Sequence, residues 1–465
     1  MKDFIKKYKY IIYVVIISIF LFIIEPQIKG ELIGFVSLLL FVVSLTILLL
    51  NKKKKISNKQ AIFYFIISIG FIIRYYYVVK TSYLAGHDIG GLDGHANYIK
   101  ILFETGKLPV TNEWQYYHPP LWHFICAVVM KINDLFGTGL YRSYEGLQYV
   151  SLFVSFLVMV VQYKIINKIK INDIAKIMMM VLFVLFPHYI YLAASINNDV
   201  LTLLFQTLII YYLIEWHNND NYENTILLAL VTGLAVMTKL NGAIMAIPIM
   251  FVFIKKIIDY IKQDYNKIKP LIIKLLVFGL ISLPIGLWYQ VRNYTLFEQP
   301  LGYVPRPTDR LYIGDKPNSE RFFTLSAKEF MEVECLPYSD YNLPIYVVKS
   351  SIFGESVKNP LTNIHLALLI VNMVLICLSV YAGIRYIFKR KKDILDYILI
   401  VTWLTSIISF IYFNIKYPYG CTMDFRYILL TLFSSGIIFI KEIDNWGKKI
   451  RIPIYLLIVL FLDFA

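Results

Sequence analysis

The chain has 465 residues, 58% of them hydrophobic and 17% charged. A soluble domain is nearer half apolar and about a quarter charged, so a freely soluble domain is excluded. The net charge of +15 does not indicate a nucleic-acid partner, because the lysines gather between apolar runs, at 52–55, 255–274 and 385–392, in the positive-inside pattern of an integral membrane protein.

Apolar runs of about 20 residues match a hydrocarbon core of about 30 Å, and the lysines orient them. Lys2, Lys6, Lys7 and Lys9 hold the N-terminus inside. The first run is too long for a signal peptide, has no small-residue cleavage site after it, and reads as a retained first span over 10–24. Spans at 32–50 and 61–79 follow, which places a first loop, 80–146, outside. That loop is an acid- and His-bearing island holding Asp88, Asp93, His95, Glu104, Glu113, His118 and His123. Titratable groups this dense at a membrane face point to chemistry at the lipid–water boundary.

The next apolar run, 121–136, would be about 24 Å long as a helix. If it crossed, the basic clusters at 164–176, 255–274, 385–392 and 441–451 would all lie outside. It is therefore read as an outer helix lying at the interface, where Trp122, Phe124, His123 and Lys131 suit the boundary. Further spans are expected at 147–165, 177–194, 200–214, 226–237, 243–254, 271–289, 364–387, 395–413, 427–440 and 454–464. The reading is an all-α polytopic membrane protein with about 13 spans and the C-terminus outside. It divides into an N-terminal catalytic module, 1–291, a second outer loop, 292–361, in which some ordered structure is expected, and C-terminal helices, 362–465. The four cysteines lack any CxxC spacing, so no zinc or redox motif is indicated. Cys335 and Cys421 fall in outer loops, as two thiols or a bridge.

This topology gathers Asp88, Asp93, His95, His118, Asp199, Arg292, Glu355, Asp424 and Arg426 at outer span ends or outer loops, with Lys239 beside them in Thr238-Lys239-Leu240-Asn241-Gly242. A charge at the centre of a membrane helix costs about 2.5–3.5 kcal/mol, so convergence on one side argues for function. Each residue also has a plainer reading. Arg292 and Arg426 would only snorkel, Asp199 would cap the helix after it, and His118 would be a solvated residue before Pro119-Pro120. In Gly91-Leu92-Asp93-Gly94-His95 a turn accounts for the glycines but not for the histidine.

In their order along the chain these motifs resemble the GT-C membrane glycosyltransferases, in particular the dolichyl-phosphate-mannose protein mannosyltransferases and the bacterial lipid A aminoarabinose transferases. A loop Asp is followed by a helix and Gly106-Lys107-Leu108-Pro109, and then by His118-Pro119-Pro120-Leu121 opening an interfacial helix. Next come Asn198-Asp199-Val200-Leu201, Thr238-Lys239, Trp288-Tyr289 and Arg292-Asn293. Ser351-Ile352-Phe353-Gly354-Glu355 and Asp424-Phe425-Arg426-Tyr427 carry it into the later half. The resemblance implies a GT-C-like fold with outer juxtamembrane helices. It implies a polyprenyl-phosphate-linked sugar donor, an acceptor (lipid, glycan or protein) on the outer face, and transfer with inversion. Asp93 would act on the acceptor, with Asp88 second. His95, His118, Asp199, Lys239, Arg292, Glu355 and Arg426 would hold the donor phosphate and substrates. The chain departs from the family in having Gly94-His95 after Asp93, where the family has an acidic pair, and His118, where the aminoarabinose transferases have Lys.

A polyprenyl-phosphate leaving group is an anion, and Lys239, Arg292 and Arg426 would stabilise it as preorganised charge. A carboxylate would take the acceptor's proton. No Gly-rich nucleotide loop occurs, as suits a lipid-linked donor. No cofactor is required, although Asp88, Asp93, His95 and Asp199 would bind a divalent metal if they meet. A surface-polysaccharide polymerase or ligase, a lipid or sugar flippase and an assembly scaffold are the alternatives; a transporter would have shorter loops and internal repeats. Richness in Lys, Ile, Asn and Tyr suggests a bacterial plasma membrane and undecaprenyl phosphate.

Overall fold

The computed structural model describes residues 31–85, 94–110, 114–137, 140–307, 309–325, 341–354, 363–389 and 391–465, with the isolated positions 327 and 330. Asp88, Asp93, Glu355, Cys335 and the first expected span lie outside the described residues. Among the described residues every regular element is helical, and the β pairing is a single antiparallel bridge between Tyr312 and Tyr419.

Helix α1 (Glu31–Lys52) pairs with α2 (Asn58–Lys80) across the lysine turn, where Ser57 and Gln60 form a capping box that starts α2. In the segment expected as the first outer loop, α3 (His95–Thr105) stops at Gly106, whose φ of 64° is left-handed. It packs on α4 (Leu121–Leu135), which lies against α5 (Leu140–Lys168). The expected span 177–194 is broken: α6 (Asp173–Leu185) and α7 (Pro187–Tyr191) meet at a 52° bend, with Pro187 opening the second helix. Then come α8 (Asp199–Asn218), α9 (Tyr222–Thr238), α10 (Ala246–Gln263) and α11 (Ile268–Phe297).

By length and composition seven helices among the described residues can cross a bilayer, or eight if the bent pair is one span. They include α14 (Asn363–Ile387) and α15 (Ile394–Lys416). The expected spans 226–237, 243–254, 427–440 and 454–464 fall on α9, α10, α16 (Leu429–Asp444) and α17 (Lys448–Phe464), of 17, 18, 16 and 17 residues. Large apolar side chains stay exposed on the spans, as at Leu276, Leu280 and Leu283 of α11. A face that shape suits hydrocarbon, because lipid tails replace the missing protein neighbours.

The run at 121–136 folds as a 15-residue helix, too short to qualify as a span. Its aromatics do not divide as the interfacial reading had them. Trp122 and His123 are fully buried with Cys126, Ala127 and Met130, while Phe124, Val128, Ile132 and Leu135 are exposed. The helical period of 3.6 puts Trp122 and Phe124 on different faces. The long segment 292–361, expected as a second outer loop, is ordered in part. It contains α12 (Asn318–Phe323) and α13 (Leu343–Phe353), the latter an apolar helix the sequence reading had left inside the loop. Buried Arg321 donates to the Asn414 carbonyl (3.0 Å), and Ile313 N–H to the Pro418 carbonyl (2.9 Å), so the loop is bound to the end of α15.

Candidate active site

A cavity of about 360 Å³ opens where α8 begins, α9 and α15 end, and α16 is about to begin. His95, His118, Asp199, Lys239 and Arg426 all line it, so five sequence-derived candidates from distant parts of the chain meet here. Gly302, Val304, Pro305, Pro307 and Leu311 of the 292–361 segment also line it, and Phe410 and Phe413 of α15, with Tyr417 just after it, give it an apolar wall.

Lys239 owes its place to a break in the chain. After α9 it is a single extended residue (φ −158°, ψ 140°) before a 3-10 turn over Leu240–Met245. The turn folds back so tightly that a Cβ on Gly242 would lie 2.5 Å from the Ala235 carbonyl carbon and oxygen, so no larger side chain fits. Asn198 ties down the break by donating to the Thr238 carbonyl (3.2 Å), and Gln206 by donating to that of Asn241 (3.2 Å). Lys239 Nζ then lies 2.5 Å from Asp199 Oδ1, both residues being buried. Asp199 is thus the first residue of α8 and a counter-charge, while Asn198 stands at the cap position without a side-chain cap hydrogen bond. Lys239 Nζ is also 5.3 Å from the centre of the Tyr427 ring, and the Arg426 guanidinium lies 5.1 Å from the same ring and donates to Tyr427 Oη (3.3 Å). Asp424 is structural: Oδ1 accepts the Arg426 N–H at 2.7 Å and lies 3.9 Å from His188 Nε2.

The other wall is a histidine stack. His95 Nδ1 and His123 Nε2 are 2.8 Å apart and share one hydrogen, which two imidazoliums cannot do. His95 also stacks on His118 (5.6 Å between ring centres), and Tyr98 stacks on His123 (4.0 Å). Burial lowers the affinity of all three for protons. His95 is held well below its ordinary value by burial, then by His123, His118, Lys239 and Arg426; His118 by burial, then Lys239, His123 and Arg426. Burial pushes His123 down to about 3. His118 therefore does not replace a family Lys as a part-time cation: near neutral pH it offers one neutral N–H.

Arg292 lies elsewhere. It does not line the cavity but donates to the Pro109 carbonyl (2.8 Å) and to Asn293 Oδ1 (2.9 Å), packed over Tyr289. Tyr289 Oη donates to the Tyr116 carbonyl (2.5 Å) and accepts from Tyr98 (3.1 Å). The Trp288-Tyr289 and Arg292-Asn293 motif thus joins α11 to the first outer loop. His123, Tyr98 and Tyr289 are site-building residues the sequence reading did not single out. The helical phase that buries Trp122 and Cys126 was the available signal for His123. Among the described residues no group of three or more His, Cys, Asp or Glu is arranged to hold a metal; two of the four candidate ligands, Asp88 and Asp93, lie outside them.

A model of the dolichyl-phosphate-mannose-protein mannosyltransferase family matches residues 117–288, the stretch that carries His118, Asp199 and Lys239. No curated protein matches the sequence. Among solved structures, ArnT from Cupriavidus metallidurans bound to undecaprenyl phosphate superposes with a TM-score of 0.50 at 14% identity, over 83% of this chain and 60% of that one. The fold is the GT-C fold of ArnT. Apo ArnT from the same organism aligns at 12% identity and a TM-score of 0.37, over 81% of this chain and 76% of that one. The chain thus spans about three-fifths of the undecaprenyl-phosphate-bound ArnT chain. The GT-C fold agrees with the resemblance read from the motifs, and the family match covers much of the region where that resemblance is densest.

Proposed function

We propose that this protein is an inverting glycosyltransferase that takes a sugar from a polyprenyl phosphate and gives it to a lipid, glycan or protein acceptor. The observation that carries the reading is a single cavity at one end of an apolar bundle, faced by buried Lys239 and Arg426 and flanked by buried His95 and His118. The donor phosphate would sit against the two cations. As the bond from the sugar to the phosphate oxygen breaks, charge grows on that oxygen, and cations already in place in a low-dielectric site stabilise it without reorganising. Asp93 would take the proton of the acceptor hydroxyl or amine as that atom attacks the opposite face of the sugar, which gives inversion. Asp88 would orient or substitute for it, and Glu355 would help hold the substrates. Undecaprenyl phosphate, the lipid bound by the similar ArnT, is the donor lipid of this reading, and a bacterial plasma membrane with the cavity outside is its setting.

The test is transfer from a polyprenyl-phospho-sugar with donor binding measured in parallel. Asp93→Asn keeps the shape and removes the basicity, so transfer should fall by at least about 10²-fold with donor binding nearly intact. Full activity in Asp93→Asn beside a dead Asp88→Asn would exchange their roles. Full activity in both would remove the loop base and favour a flippase.

A further inference from the structure

A second cavity, of about 560 Å³, lies at the other ends of α15 and α16 from the candidate active site. α15 has 23 residues, about 34 Å of helix, so the two cavities are on opposite faces of the membrane. Five lysines line this recess, from two connections and one helix end. Lys170 comes from the turn between α5 and α6, Lys389, Lys391 and Lys392 from the link between α14 and α15, and Lys441 from the end of α16.

The local carboxylates do not neutralise all of them. Lys441 pairs with Asp396, with Asp393 at 4.0 Å; Lys389 pairs with buried Glu442; Arg451 holds Asp444 at 2.8 Å. Lys392 gives its ammonium to the Lys389 carbonyl. Lys170 and Lys391 have no ion-pair partner among the described residues. Three ammonium groups thus face one recess without a carboxylate each. Along α14 itself Ile370, Met373, Tyr381 and Ile384 are exposed, as on a helix that faces lipid. A recess with surplus positive charge at the ends of membrane-spanning helices stands at the depth of lipid headgroups.

We propose that this recess binds the phosphate headgroup of an anionic phospholipid. The lysine distribution assigns the leaflet as the cytoplasmic one, where basic pockets between membrane helices collect anionic lipids. A zwitterionic lipid fits worse, because its own cation would meet the lysines. The proposal does not rest on sugar transfer and stands or falls separately from it.

The full-length protein, delipidated in a neutral detergent, is titrated with dioleoyl-phosphatidylglycerol, dioleoyl-phosphatidylcholine or inorganic phosphate. Retained lipid is counted by native mass spectrometry, and thermal unfolding is followed alongside. Phosphatidylglycerol should be retained and should raise the unfolding temperature, the other two far less. Lys170→Gln/Lys391→Gln should bind phosphatidylglycerol about 30-fold more weakly. Both lysines are exposed and without ion-pair partners, so unfolding without lipid should not change. Lys53→Gln/Lys55→Gln makes the same charge change on the same face, away from the recess, and should bind nearly as the wild type does. Equal weakening in both double variants would reduce the effect to general surface charge and overturn the site. Inorganic phosphate matching phosphatidylglycerol would overturn the lipid assignment.

Discussion

Lys239 and Asp199 form an ion pair whose worth depends on what replaces it. Breaking a buried pair from one side leaves a stranded charge and costs about 3–5 kcal/mol, while removing both charges is far milder. Lys239→Met should therefore lower the unfolding temperature sharply, and Lys239→Met/Asp199→Asn should restore most of it. If Lys239 also meets the donor phosphate, transfer should stay down by about 10²–10³-fold in the restored double variant; recovered transfer there would leave Lys239 a purely structural role. The histidine stack gives a second residue-scale prediction. The unfolded chain protonates its histidines below about pH 6.5, whereas the fold keeps His95, His118 and His123 neutral to lower pH, His123 to about 3. The unfolded state then binds more protons, so stability falls as pH drops below about 6.5, by up to about 1.4 kcal/mol per pH unit for each histidine. Unfolding followed between pH 7 and 5 should show this slope, and His123→Phe, which keeps a ring against Tyr98, should flatten part of it. A wild-type profile with no slope would mean the imidazoles are not held neutral.

Among the elements, α4 decides the topology. Its exposed stripe of Phe124, Val128 and Ile132 belongs either at the water boundary or in hydrocarbon. A lysine at the centre of a spanning helix costs about 2.5–3.5 kcal/mol, but near an interface it snorkels at little cost. Val128→Lys should leave folded yield and unfolding temperature near wild type, while Leu280→Lys, mid-way along α11, should lose most of the folded yield. Equal damage at both would make α4 a crossing helix and reverse every later lysine cluster. The α11 end answers a different question. Arg292 bonds the Pro109 carbonyl and does not line the cavity, so Arg292→Met should destabilise the outer loop by about 1–3 kcal/mol and change donor affinity by less than about threefold. A selective loss of donor affinity would return it to the phosphate. These elements also mark where the sequence stopped being legible. Runs such as α2, α14 and α15 were read nearly residue for residue, because length and hydropathy alone determine a span. The Pro187 bend, the α13 helix within the loop and the inward turn of His123 were not, because each depends on what the segment packs against.

At the scale of the whole molecule the chain is a two-faced bundle: one end carries the cavity with Lys239 and Arg426, the other the lysine-lined recess. Composition and the order of motifs were enough to expect a GT-C fold and to bring His95, His118, Asp199, Lys239 and Arg426 to one side. They did not separate Arg292 from that group, since a guanidinium at a span end looks the same whether it meets a phosphate or a carbonyl. The two-faced arrangement has a direct consequence for sidedness. Leu311 lines the cavity and Lys391 the opposite recess, and α15 and α16 run between them. In a background with the four native cysteines replaced, a membrane-impermeant thiol reagent applied to intact cells should label Leu311→Cys and spare Lys391→Cys. Inside-out vesicles should reverse the pattern. Labelling of both from one side would mean that α15 does not cross, which the membrane reading cannot survive. The reverse pattern in intact cells would place the cavity in the cytoplasm, where the lysine rule and the outer-face acceptor both fail. The expected pattern puts the cavity with Lys239 and Arg426 at the outer face and the lysine-lined recess at the inner face.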